Sequence, residues 1–95
     1  MQESTRRLVI EGRVQGVGFR WSLAAKAKSL ALRGWVRNRR DGSVEALVCG
    51  AQAAVDEIVA WAWQGPPAAR VDRVRVNDET ADAAPAAGFE QRATF

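Results

Sequence analysis

The 95-residue sequence contains no histidine, no tyrosine and a single cysteine, Cys49. Without histidine, Ser-His and Cys-His nucleophile pairs are excluded, and so are metal sites built on histidine ligands. One cysteine excludes an internal disulfide, which fits a reducing compartment, and no apolar run approaches the ~20 residues of a membrane span. We therefore expect a cytoplasmic protein that is not inserted in a membrane and whose chemistry uses neither a bound metal nor histidine.

Lysine is also scarce, and arginine carries most of the positive charge. The chain has twelve arginines, two lysines and eleven acidic residues, for a net charge of +3. Arginine suits bidentate contacts to phosphate, so nucleic acids and small phosphorylated ligands must both be considered. The acids are spread among the bases, as in Glu11 near Arg13 and Asp72 beside Arg73. This spacing favours a solvated, mixed-charge surface over a nucleic-acid-binding face.

Hydrophobic periodicity predicts the element order β-α-β-β-α-β. Gly34 is expected to end the first helix in a left-handed conformation, and Asp41-Gly42 to form the turn of a hairpin. The predicted segments are strands at 7–14, 35–38, 43–49 and 71–77, helices at roughly 21–33 and at 52–64, a loop at 78–88 and a final edge strand at 89–94.

This order predicts an α+β fold of the ferredoxin-like type, in which two helices cover one face of an antiparallel sheet and a fifth strand can join its edge. The alternation of apolar and polar residues along the strands fits a sheet with one covered face. We expect residues 5–95 to form a single domain, because the chain is long enough for only one core.

A glycine-rich loop, Gly12 to Arg20, joins the first strand to the first helix. Backbone amides and the positive end of a helix dipole favour an anion at such a junction, and Arg20 adds a guanidinium fork suited to phosphate oxygens. The functional hypothesis is an oxyanion cradle. The alternative is that the glycines only permit a tight turn and that Arg20 is a surface residue, since isolated glycine-rich loops are weak signals.

Asn38 ends the second predicted strand, and the predicted strand order brings it near Arg20. Its amide could then hold a water molecule beside a bound phosphoryl group. The alternative is that Asn38 only begins the turn into Asp41-Gly42. Cys49 could be a phosphatase nucleophile, but cysteine-dependent phosphatases have an arginine six positions after the cysteine, where this chain has Val55. Burial of Cys49 in the third strand is therefore predicted instead. Core or rim packing is predicted for all four tryptophans, which are Trp21, Trp35, Trp61 and Trp63.

The segments Gly12–Arg20 and Gly34–Glu45 together resemble the paired signature of the acylphosphatases, and the resemblance extends from about residue 5 to residue 95. It implies a ferredoxin-like fold and a cofactor-free enzyme that hydrolyses carboxyl-phosphate anhydrides. Carried over by position, Arg20 binds the phosphoryl group and Asn38 orients the attacking water. The phosphate loop, which binds through its backbone, is Gln15, Gly16, Val17, Gly18 and Phe19. The closing segment 88–95 lacks the Arg-Tyr ending that is frequent in the family.

The resemblance implies a small-molecule acyl phosphate as substrate, and the oxyanion cradle at Gln15 to Arg20 predicts inorganic phosphate or sulfate as ligands of the same site. Similar domains begin larger hydrogenase-maturation carbamoyltransferases, but a free-standing monomer is expected here. Two other functions share some of these features. RNA recognition motifs have the same element order, but they need aromatic residues on the central strands, and the first and third strands here have none. A non-catalytic anion sensor would use the same cradle.

Overall fold

The computed structural model describes residues 2–95, which form five strands, two α-helices and a short 3-10 helix. The helix predicted at 52–64 has those same bounds, whereas the 3-10 helix lies inside the segment predicted to be a loop. The elements are β1 Glu3–Arg13, α1 Phe19–Ser29, β2 Arg33–Asn38, β3 Val44–Ala51, α2 Gln52–Gln64, β4 Arg70–Asp78, the 3-10 helix Ala81–Ala83 and β5 Phe89–Gln91.

The strands form one sheet in the order β4-β1-β3-β2-β5. Strand β1 lies between β3 and β4 and pairs with both in antiparallel fashion, as β2 does with β3. The predicted ferredoxin-like arrangement is thereby confirmed. The fifth strand also exists, but it spans only Phe89–Gln91 and runs parallel to β2, so the complete sheet is mixed.

The hydrophobic core lies between the sheet and its two helices. Leu8 and Ile10 point from β1 to this side, where they meet the predicted α2 stripe of Val55 and Ile58, and all four side chains have no exposed surface. Helix α1 packs against β2 and β5, and α2 packs against β1 and β4. Among residues 2–95, neither α-helix has the length and apolar character required to cross a membrane.

In the described part of the chain, no helix covers the opposite face of the sheet, yet several side chains on this face are buried. Glu45 is only 4% exposed on this face. Two arginines from the neighbouring strands reach it, with Arg7 Nη1 2.7 Å from Oε2 and Arg37 Nε 2.7 Å from Oε1. Long arginine side chains can cover apolar surface with their methylene groups while the charged end stays near water. This ion-paired layer therefore takes the place of a covering helix at the centre of the face.

The end of α1 differs from the prediction. The helix stops at Ser29, and Ala31 takes the left-handed conformation with φ 56°, whereas Gly34 lies buried within β2. The N–H of Leu32 bonds to the carbonyl of Ala27 and the N–H of Ala31 to that of Lys28. These two bonds make a Schellman motif, which satisfies the last carbonyls of the helix. The early stop returns Leu32, 4% exposed, to the core.

Candidate active site

The loop between β1 and α1 is anchored at both ends by buried side chains. Val14 is 1% exposed and Phe19 is 2% exposed, and both belong to the core. Between them, Gly16 and Gly18 have φ angles of 73° and 79°, a conformation that glycine adopts without steric cost. A β-carbon at either glycine would have no heavy atom within 4 Å. The glycines are therefore required by backbone conformation, and open space lies beside both of them.

Among residues 2–95, no side chain neutralises the positive end of α1 at its first turn. Gly18 occupies the N-cap position in a left-handed conformation, no side chain caps the helix, and the first turn contains no acidic residue. The first intrahelical bond joins the N–H of Ser22 to the carbonyl of Gly18 at 3.0 Å. The preceding amides, together with the helix dipole, make this end of the helix suited to an anion.

Arg20 lies in this same turn and is partly buried. The other partly buried arginines are Arg6, Arg7, Arg33, Arg37 and Arg39, and each has a carboxylate within 4.0 Å. Within residues 2–95, Arg20 alone of this group has no ion pair and no side-chain hydrogen bond. The donors of the Arg20 guanidinium are therefore unused by other side chains in this part of the chain, and they are suited to bind an anion.

Asn38 is the last residue of β2, and its carbonyl accepts a hydrogen bond from the N–H of Phe95 at 3.0 Å. The structure records no hydrogen bond from the Asn38 side chain to any group in residues 2–95. The turn that follows is held by other groups. The Ser43 hydroxyl and backbone N–H donate to Asp41 Oδ1 at 2.6 and 2.9 Å. These two hydrogen bonds lower the pKa of Asp41 below its ordinary value. The N–H of Gly42 donates to the carbonyl of Arg39. The turn is therefore closed without a hydrogen bond from the Asn38 side-chain amide, so the alternative that Asn38 only begins this turn gains no support.

The topology brings the loop and Asn38 to the same end of the sheet. Strand β1 ends at Arg13 and pairs there with the first residue of β4, while Asn38 pairs with Val44, the first residue of β3. A direct contact joins the two halves, since Gln15 Nε2 donates to the carbonyls of Arg39 and Ser43 at 2.7 and 2.9 Å. The glycine-rich loop therefore contacts the end of β2 and the turn that follows it, as the predicted strand order led us to expect.

An open cleft of about 430 Å³ lies beside the β2–β3 turn. Neither Arg20 nor the glycine-rich loop lines it, so it is distinct from the space beside Gly16 and Gly18. Its lining residues are Arg39, Arg40, Asp41, Thr94 and Phe95.

The segment after β5 was not predicted to approach the site. The N–H of Arg92 bonds to the carbonyl of Val36, and the N–H of Arg40 bonds to the carbonyl of Phe95. The guanidinium carbon of Arg37 lies 4.0 Å from the centroid of the Phe95 ring, within range of a cation–π interaction. The C-terminal residues thus continue along β2 past its end. Aromatic character at position 95 is the only sequence signal for this contact.

Other reactive or aromatic side chains lie elsewhere. Cys49 is fully buried, accepts a hydrogen bond from the Thr5 hydroxyl at 3.0 Å and pairs with Arg33 at the opposite end of the sheet, so its predicted packing role is confirmed. In residues 2–95, no three His, Cys, Asp or Glu side chains are grouped as metal ligands would be. The packing prediction for the tryptophans is wrong for two of the four, because Trp21 is 69% and Trp63 51% exposed.

Comparisons with known proteins identify the family of the chain. The family model described as Acylphosphatase matches residues 6–91. An acylphosphatase of Acidovorax sp. (strain JS42) is 56% identical over 90 residues, which cover 95% of this chain and 91% of that protein. The structure of an acylphosphatase from Coxiella burnetii has a TM-score of 0.89 at 36% identity and covers 95% of this chain and 93% of its own. For the acylphosphatase from Bacillus subtilis, the TM-score is 0.88 at 33% identity, with coverage of 96% and 99%. The chain therefore belongs to the acylphosphatase family of acid-anhydride hydrolases.

Proposed function

We propose that Arg20 and the amides of Gln15–Phe19 bind the phosphoryl group of an acyl phosphate, while Asn38 orients the water that attacks it. The observation that carries this proposal is the partly buried Arg20, which has no acidic partner within residues 2–95 and lies in the uncapped first turn of α1. Both features favour an anion with several oxygens. An acyl phosphate supplies such an anion and, as an acid anhydride, is the substrate class of the family.

The chemical demands of the reaction match these groups. The leaving group is a carboxylate, which departs without protonation, so the protein need not supply a strong acid. It must stabilise charge on the transferring phosphoryl oxygens and place water in line with the bond that breaks. The guanidinium fork and the backbone amides do the first. The buried side chains of Val14 and Phe19 hold both ends of the loop, so its backbone amides need little reorganisation in the transition state.

Asn38 supplies the second requirement. A side-chain amide has both a donor and an acceptor, so it can hold a water molecule and direct one of its lone pairs. The Asn38 amide is available for this role because its hairpin turn is stabilised by Asp41, Ser43 and Gly42. We infer that water attacks phosphorus directly. Cys49, the only thiol of the chain, is fully buried at the other end of the sheet and is not placed to form a phosphoenzyme.

The proposal extends to conditions and partners. The enzyme acts as a monomer in the cytoplasm, requires no metal or other cofactor and binds no nucleic acid. Inorganic phosphate and sulfate occupy the same cradle as competitive ligands, because they present the same arrangement of oxygens as the transferring phosphoryl group.

Turnover of acetyl or benzoyl phosphate in excess EDTA tests this function. We expect loss of the anhydride at a rate that chelation leaves unchanged and that Arg20→Ala reduces by about a hundredfold or more in kcat/KM. Arg73→Ala is the matched control, since Arg73 is an exposed arginine on β4, away from α1. Phosphate binding without turnover would identify an anion sensor. Activity that disappears in EDTA and returns with a divalent metal would contradict the proposed mechanism.

A further inference from the structure

The Gln15 side chain forms a bridge between the phosphate loop and the β2–β3 turn. Its amide nitrogen has two hydrogens, and each is donated to a backbone carbonyl of the turn, at 2.7 Å to Arg39 and at 2.9 Å to Ser43. Gln15 is partly buried, and the two acceptors lie 24 and 28 residues further along the chain. Both donors of the amide are therefore used in one long-range contact.

The two carbonyls are already part of the turn. The carbonyl of Ser43 accepts the N–H of Arg39 at 2.8 Å, and the carbonyl of Arg39 accepts the N–H of Gly42 at 3.1 Å. Each carbonyl oxygen has two lone pairs, so the Gln15 amide can bind both oxygens without displacing a turn bond. The bridge consequently depends on the closed shape of the turn and in return stabilises that shape.

The location of the bridge links it to both halves of the proposed site. Gln15 directly precedes Gly16, and Arg39 directly follows Asn38. We propose that Gln15 is a positioning residue, an inference that rests on the proposed function. It holds the end of β2, and with it Asn38, at a fixed distance from the phosphate loop.

The physical reason is the weakness of the alternative connections. The loop contains two left-handed glycines, and β2 is separated from β1 by β3, so no strand pairing joins the loop directly to Asn38. A misplacement of about 1 Å between a bound phosphoryl group and the attacking water can cost up to about 10² in rate. Without the bridge, the cradle can still bind phosphate, but Asn38 no longer holds the water in line.

Kinetics of Gln15→Ala and Gln15→Met test the proposal. Methionine keeps the length of the side chain but has no N–H donor, so it separates lost volume from lost hydrogen bonds. We expect kcat to fall by about tenfold or more in both variants, as the loss of about 1.4 kcal/mol of transition-state positioning implies. KM and the affinity for inorganic phosphate should change by less than about threefold. Gln64→Ala, an exposed glutamine at the end of α2, is the control and should match the wild type.

A double-mutant cycle with Asn38→Ala identifies the residue through which Gln15 acts. If Gln15 only positions Asn38, then Gln15→Met should reduce kcat by less than about twofold in the Asn38→Ala background. Equal losses in both backgrounds would overturn the proposal, because they would show that Gln15 acts on the cradle or on the fold. A weaker phosphate affinity with an unchanged kcat would overturn it as well.

Amide hydrogen exchange tests the bridge without reference to activity. The N–H groups of Arg39 and Gly42 close the turn, and their exchange should be about tenfold faster in Gln15→Met than in the wild type. Unchanged exchange at both amides would show that the bridge does not hold the turn. A wild-type protein that fails to hydrolyse acyl phosphates would contradict the proposed function, whereas the exchange result would still decide whether the bridge holds the turn.

Discussion

Gly65 packs directly against the ring of Phe19, so the end of α2 supports the start of α1. A β-carbon on Gly65 would lie 2.6 Å from Cε2 of that ring, and the φ and ψ of Gly65 are 66° and −172°. Phe19 is 2% exposed and directly precedes Arg20. The carboxyl end of one helix therefore sets the position of the residue on which the proposed phosphate site is anchored.

Gly65→Ala should destabilise the protein by about 2–3 kcal/mol, because it adds backbone strain to a clash with the Phe19 ring. Urea unfolding measures the change in the free energy of unfolding. Gly88→Ala is a matched control, because Gly88 also has a positive φ, 82°, but a β-carbon there would meet nothing within 4 Å. Equal losses in the two variants would show that strain alone matters and that the contact with Phe19 does not.

Helix α2 is an element whose bounds could be predicted from the sequence. Its bounds were predictable because Val55 and Ile58 repeat at helical spacing and Gly65-Pro66-Pro67 stops the helix. The end of α1 was not predictable in this way, because glycine is the expected left-handed residue and Ala31 takes that role instead. The return of Leu32 to the core decides where the helix ends, and that is a tertiary requirement.

Some features of the candidate site could likewise be predicted from the sequence, and others could not. Arg20 and Asn38 were assigned from a glycine-rich loop and from a resemblance that covers most of the chain. The bridge from Gln15 to the carbonyls of Arg39 and Ser43 leaves no pattern in the sequence, because any residue type can supply a backbone carbonyl. Likewise, in a chain of mixed charge nothing in the sequence predicts that the Arg20 guanidinium has no acidic partner among the described residues, 2–95.

Ala31→Gly should stabilise the protein by about 0.5–1 kcal/mol. Ala31 has a φ of 56°, and glycine adopts this left-handed conformation without the steric cost that a β-carbon brings. The free energy of unfolding and kcat should be measured on the same preparation. We expect kcat to be unchanged, because Ala31 lies at the far end of α1 from Arg20. A loss of stability would show that the freedom of glycine in the unfolded chain outweighs the relieved strain.

Glu45 should make the protein sensitive to acid. Burial of this carboxyl group opposes its ionisation, but hydrogen bonds from Arg37 and Arg7 outweigh burial and hold the pKa of Glu45 below its ordinary value of 4.5. A carboxyl group with a lowered pKa in the folded state contributes stability above its unfolded pKa, and this stability is lost as the pH falls through the folded pKa. The free energy of unfolding should therefore decrease from about pH 5 downward.

Glu45→Gln isolates this contribution. At pH 7 the variant should be less stable than the wild type by about 2 kcal/mol, because two charge-assisted hydrogen bonds are weakened. The difference should shrink as the pH falls and Glu45 of the wild type becomes protonated. A difference that stays constant from pH 7 to about pH 3 would show that Glu45 is not the group responsible.

Arg20→Lys should be nearly as damaging as Arg20→Ala. Lysine keeps the positive charge, but it lacks the planar fork that binds two phosphate oxygens at once. We expect kcat/KM for benzoyl phosphate to fall by about 10² or more in both variants, since one preorganised contact to a developing charge is worth about 3 kcal/mol. Near-normal activity of the lysine variant would mean that charge alone suffices at this position.

Asn38→Ala separates an enzyme from an anion-binding protein. If the amide holds the attacking water, its interaction is made mainly in the transition state, so kcat and kcat/KM should fall together while KM changes little. Phosphate affinity should persist, because Arg20 and the loop amides are intact. The opposing hypothesis, in which Asn38 only shapes the turn, expects a lower melting temperature and an unchanged kcat per folded molecule. Asn77→Ala, at an exposed asparagine of β4, is the control for removing a strand amide. A folded Asn38→Ala protein with wild-type kcat would remove Asn38 from the active site.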